Sequence, residues 1–189
     1  ELNKTSSVIL KDGNLRVDHS GTPLMQCVVA NMYASTGKFY AEFTKLETGI
    51  EDAYGIVTDL YSQDESFYST EKIAAYKNGN VTSSGFGAVV FPSFSAAGQV
   101  IGLYMDLDNQ KFGASVDGGP ISYVNIGNFD SHTAGERWTW MSQSGNSAST
   151  GSFRHSANFG QKPFKFPPPD GFQAMSGSSL RPETAVPDP

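Results

Sequence analysis

Short runs of strand-type patterning are interrupted throughout this chain by Gly, Asn, Asp or Ser, and no apolar stripe at helical spacing persists long enough to make a helix. Residues 37–46 show the pattern most clearly. Phe39, Ala41 and Phe43 fall on one face, and Tyr40, Glu42 and Thr44 on the other. The spacing predicts strands over 26–32, 37–46, 54–58, 72–77, 100–106, 111–116 and 137–143, with shorter ones at 163–166 and 172–175. Residues 7–10 and 15–17 flank Lys11-Asp12-Gly13-Asn14, which marks a tight hairpin. A second hairpin joins 100–106 to 111–116. In its first arm Ile101, Leu103 and Met105 alternate with Val100, Gly102 and Tyr104, so this strand is expected inside a sheet covered on both faces. Trp138 and Trp140 share one face of 137–143. Many short strands without helices pack most economically as two antiparallel sheets, an all-β sandwich.

A chain of 189 residues buries about 70% of its unfolded surface, so one core forms without cross-links. Cys27 is the sole cysteine, which excludes an internal disulfide and a Cys-rich zinc cage, and its apolar run Cys27-Val28-Val29-Ala30 marks a small buried thiol. The net charge of −6 offers no basic footprint, so neither nucleic acid nor an anionic membrane is expected as a partner. The opening residues lack the layout of a signal peptide, and a chain beginning at Glu1 reads as a processed product or a piece of something longer. The sandwich domain is expected over 1–175. Residues 176–189, with three prolines and few large apolar groups, are expected to form a tail or arm.

Nucleophilic catalysis needs an activated Ser or Cys beside a His base and an orienting acid. His19, His132 and His155 each sit in polar, turn-like sequence and are expected in surface loops, and no Gly-x-Ser-x-Gly elbow occurs. Glycoside hydrolysis needs two carboxylates opposed across a cleft. Glu42 has no second acid at strand spacing, and Glu51-Asp52 and Asp64-Glu65 are expected in loops. Asp106-Leu107-Asp108-Asn109-Gln110-Lys111 opens like a calcium loop, but Lys111 stands where that loop requires Gly. A polar hairpin turn is expected there, and no metal. Gly85-Phe86-Gly87-Ala88 lacks the remaining Gly and the Lys of a phosphate loop and reads as a flexible connection. The sequence therefore nominates no catalytic residue and no cofactor.

Two loops remain as candidates. Residues 59–70 carry Tyr61, Phe67 and Tyr68 among polar residues, and residues 126–137 carry Phe129, His132 and Arg137. Aromatics mixed with polar groups on a rigid β scaffold make binding surfaces, because the rings supply contact area at low entropic cost. These side chains are the candidate binding residues.

Several segments resemble the SPRY domain family. Gly37-Lys38-Phe39-Tyr40-Ala41-Glu42-Phe43 is similar to an early strand of the family, and Tyr54-Gly55-Ile56-Val57 to the next. The stretch from Val100 to Phe112 resembles the family's most recognisable part, an apolar strand with one Gly that runs into an acidic turn, and Asp117-Gly118 stands where Asn-Gly is common. The segment from Ala157 to Phe172, with Asn158-Phe159-Gly160-Gln161, resembles the closing strands, particularly those of SPRY-like modules in bacteriophage structural proteins that continue into a Pro-rich segment like 180–189. The resemblance spans residues 8–175. It implies a bent antiparallel sandwich of the concanavalin A-like jelly-roll kind that binds through its loops, with no catalytic residues and no cofactor.

On that resemblance the chain is expected to be a non-catalytic virion part: a tail fibre, a spike or a capsid decoration. Its partners would be a host-surface glycan or protein, or neighbouring virion subunits, and it would form a homo-oligomer by virtue of its place in the particle. A polysaccharide-degrading enzyme on the same kind of sandwich is the alternative.

Overall fold

The computed structural model describes residues 3–4, 8–20, 26–47, 52–61, 71–82, 86–129, 132, 134–144 and 152–176. In chain order the strands are β1 (Asn3–Lys4), β2 (Ile9–Lys11), β3 (Arg16–Ser20), β4 (Gln26–Val29), β5 (Lys38–Lys45), β6 (Asp52–Thr58), β7 (Lys72–Tyr76), β8 (Asn80–Thr82), β9 (Phe86–Val89), β10 (Val100–Asp106), β11 (Lys111–Val116), β12 (Ser122–Asn125), β13 (Trp138–Ser144), β14 (Ser152–Asn158) and β15 (Gln173–Ala174). One sheet runs β1-β4-β13-β6-β7-β8-β9 and the other β12-β11-β10-β5-β14-β3-β2, with antiparallel neighbours throughout. Among the described strands only β15, which lies beside β5, pairs in parallel. This is the all-β, two-sheet sandwich that the strand spacing predicts.

The core follows from period-two alternation. Phe39, Ala41 and Phe43 of β5 and Ile101, Leu103 and Met105 of β10 meet Tyr54 and Ile56 of β6 and Trp138 and Trp140 of β13 in one apolar cluster between the sheets. Each large apolar side chain buried there stabilises the fold by about 1.5–3 kcal/mol. Both hairpins form where expected, with Asp12, Gly13 and Asn14 in the left-handed region at the first. At the second, the Asp106 carboxylate accepts hydrogen bonds from the Asn109 backbone N–H and side-chain amide and pairs with Lys38. Burial works against that carboxylate, but Asn109 and Lys38 outweigh it and hold it below the usual carboxylate range.

The outer faces are covered too. On the seven-stranded sheet Cys27, Val29, Ala53, Val57, Ala74, Tyr76 and Met141 form a second cluster, against which Tyr61 packs. Burial pushes the Cys27 thiol up to about 11, against the opposing effects of a Tyr61 hydrogen bond and Lys72. That is the inert buried thiol expected from its sequence context. Over the eight-stranded sheet, Phe164 packs edge-on against Tyr40 and Phe172 against Tyr104. The Glu42 carboxylate, 4% exposed, accepts the backbone N–H groups of Lys165 and Phe166 at 3.0 and 2.8 Å. The strand expected over 163–166 is absent for that reason. The Lys165 and Phe166 N–H groups are bound to that carboxylate, and Pro163 has none to offer a ladder.

Other expectations are corrected. Residues 86–89 are the strand β9, paired with β8 through Thr82↔Phe86 and Asn80↔Val89, so ladder hydrogen bonds override the glycines. The strand expected over 172–175 shortens to β15. Asp52 lies in β6, facing the interior. His19 and His155 lie in β3 and β14, and His155 is fully buried. On β14, Phe153, His155 and Ala157 alternate inward while Arg154 is exposed, so the polar neighbours that suggested a loop belong to the outer face.

The interior also holds charge. Lys45 of β5 forms an ion pair with Asp52 of β6, side chains 4% and 1% exposed, which ties the two sheets together, and the Tyr54 hydroxyl donates to the same Asp52 oxygen at 3.2 Å. His155 is the register partner of Lys45 and packs against Phe43, Tyr54 and Phe153.

Candidate functional site

The pairing of β4, β13 and β6 brings three loop residues to one end of the seven-stranded sheet. Ala34 bridges to Trp138, and Trp138 opposes Thr58, so Tyr33, Arg137 and Asp59 emerge side by side from separate parts of the sequence. The Asp59 backbone N–H donates to the Arg137 carbonyl at 3.1 Å, which extends the ladder by one step. Beyond it the Arg137 guanidinium pairs with the Asp59 carboxylate at 3.4 Å, and its carbon lies 5.4 Å from the centre of the Tyr33 ring. Arg137 and Asp59 keep 60% and 36% of their side chains exposed, so the charges stay available to a partner. Burial raises the Tyr33 hydroxyl above its ordinary pKa, Asp59 adds to that shift, and Arg137 opposes it. The patch thus sets a phenol whose ionisation is disfavoured beside the Arg137–Asp59 ion pair.

Behind the patch sits His132. Its side chain is buried, its Nδ1 lies 2.8 Å from the Glu136 carboxylate, and its ring stands edge-on to Trp138 at 4.7 Å. Phe129 follows a short 3-10 turn at Ile126–Asn128 and packs against the main core. Tyr61 is half-buried on the outer face of the same sheet. Of the residues nominated by sequence, Arg137 is the exposed one, while His132 is buried against Trp138 and Phe129 and Tyr61 are half-buried against the two clusters. Phe67 and Tyr68 lie outside the described residues. Tyr33 and Asp59 escape a reading by sequence because their proximity depends on strand pairing over long separations.

A cation over an aromatic face beside an acid can grip polar or charged groups, yet it holds no nucleophile activated by a base. The buried acids Glu42 and Asp52 are engaged by backbone N–H groups and by Lys45, which is structural work. Among the described residues no three His, Cys, Asp or Glu side chains gather as a metal site, and no helix is long and apolar enough to cross a membrane.

The layered β architecture is that of a SPRY domain: two antiparallel sheets around one core, with loops displayed at the ends. Solved structures bear this out, for the chain superimposes on the SPRY domain of human HERC1 with a TM-score of 0.65 at 13% identity, covering 84% of this chain and 96% of that one. It superimposes similarly on another human SPRY domain, with a TM-score of 0.61 at 13% identity over 86% of this chain and 99% of that one. At such identity the shared property is the fold. No protein-family model and no curated protein sequence matches the chain.

Proposed function

We propose that the protein is a non-catalytic recognition module of a bacteriophage virion, acting in a tail fibre, spike or capsid decoration. It contacts a host-surface glycan or protein, or a neighbouring virion subunit, through the loops at the Tyr33 end of the sandwich. The observation that carries this reading is the exposed Arg137–Asp59–Tyr33 patch on paired strand ends. A rigid frame with adaptable polar groups at its rim suits contact, and SPRY folds generally serve binding instead of catalysis. The assignment to a virion is supported by the resemblance of residues 157–172 and the Pro-rich 180–189 to phage modules.

Arg137→Ala is the direct test. It removes an exposed ion pair and a cation–π contact, together worth about 1 kcal/mol to folding, so the melting temperature should fall by no more than about 2–4 °C. Retention on immobilised bacterial envelope fragments or on particles lacking the protein should drop about tenfold or more. Full retention with the variant on both surfaces would remove the patch from the contact.

A further inference from the structure

A groove of about 190 Å³ opens between the β2–β3 turn and the segment that follows β4, lined by Gly13, Asn14, Leu15, Ala30, Asn31, Met32 and Phe159. None of these residues is charged, and the carboxamides of Asn14 and Asn31 belong to exposed residues beside the half-buried Met32 and Phe159. The groove shares Asn14, Leu15, Ala30 and Phe159 with a deeper chamber of about 10 Å³, just enough for one water. Trp140, Ser142 and His155 line that chamber. The Trp140 indole N–H and both ring nitrogens of His155 are buried without a hydrogen-bond partner. Unpaired polar atoms so deep are costly, and a small polar recess is where an ordered water or a ligand hydroxyl satisfies them.

We propose that this groove binds a neutral sugar residue, with the hydroxyl-rich edge toward the Asn14 and Asn31 carboxamides and the chamber, and the apolar ring face on Phe159 and Met32. A phosphate or sulfate would find no cation among the described lining residues. An extended peptide would need a free strand edge, yet β4 is flanked by β1 and β13, and the edge strand β2 supplies none of the lining residues, which begin in the turn at Gly13. A single uncharged ring with hydroxyls on its rim matches the polarity and size of the groove. Met32 lines the groove and the adjacent Tyr33 lies beneath Arg137, so one segment carries both features, but the proposal does not depend on the virion assignment.

The test is a titration followed by amide and indole N–H resonances, using glucose, galactose, mannose and N-acetylglucosamine, with glucuronic acid and inorganic phosphate as charged probes. At least one neutral sugar should shift the amides of Asn14, Asn31 and Phe159 and the Trp140 indole signal in a saturable way. Asn31→Ala should weaken that binding about tenfold, the equivalent of one hydrogen bond. Asn14→Gly should do the same, since Gly keeps the left-handed backbone of this position while removing the carboxamide. Arg137→Ala should leave it unchanged, which separates this groove from the patch. Titrating the methyl glycoside beside the free sugar distinguishes the two sources of such a ring: equal affinity points to a glycan end, and loss points to a soluble sugar. The proposal is overturned if no neutral sugar moves these resonances, if the charged probes bind tighter, or if both Asn variants bind as the parent does.

Discussion

Lys45→Met is expected to destabilise the domain by about 3–5 kcal/mol in urea denaturation. Lys45 and Asp52 are both almost wholly buried and their ion pair links one sheet to the other. Without the ammonium, the Asp52 carboxylate keeps a single neutral donor, the Tyr54 hydroxyl, on Oδ2 and none on Oδ1. Burial already raises the Asp52 carboxyl more than Lys45 and Tyr54 lower it, so the group has little margin to lose. Lys45→Met combined with Asp52→Leu should recover most of the loss, because an apolar pair of similar volume leaves no uncompensated charge. A single variant as stable as the parent would show that the pair does not support the fold.

Acidification should weaken the fold well before its ordinary carboxylates titrate. Burial, helped by the nearby Lys45 and opposed by Asp18, depresses the His155 pKa from 6.5 to about 3. In the unfolded chain the imidazole takes up its proton near its ordinary pKa, whereas in the folded chain it resists until about 3. The unfolded state therefore binds more protons across that interval, and stability falls with falling pH by up to about 1.4 kcal/mol per unit. Asp52 acts in the opposite sense. Its raised folded pKa lets the native state take a proton first, so it offsets part of the loss just above 3.8. The net decline is concentrated below 6.5 and above the range where Asp52 protonates. His155→Leu should flatten it, with the parent-minus-variant difference in urea midpoint changing by the same slope. A parent whose stability is level from neutral pH down to 4.5 would show that the ring takes up its proton as readily in the folded protein as in the unfolded chain.

Much of this fold is legible in the chain because alternation is a local signal. The strands at 100–106 and 111–116 form as expected to the residue, and the inward faces of Phe39, Phe43, Trp138 and Trp140 follow from period two alone. What escapes is non-local. The Lys165 and Phe166 N–H groups bind Glu42, more than 120 residues away, and no pattern within the segment reveals that. His155 reads as a loop residue because Arg154 and Ser156 are polar, although Phe153 and Ala157 on either side of it carry the opposite signal. The Arg137–Asp59–Tyr33 patch is half legible. Arg137 stands out as a cation in a mixed loop, while Tyr33 and Asp59 join it only through the order of β4, β13 and β6.

Recognition without bond cleavage is tested most directly by following retention and hydrolysis together on one set of immobilised bacterial envelope fragments. Saturable retention of the parent, reduced by Arg137→Ala, with reducing ends no higher than in buffer, is the predicted result. Reducing ends that accumulate in proportion to added protein would contradict it and return the chain to the glycan-degrading enzymes.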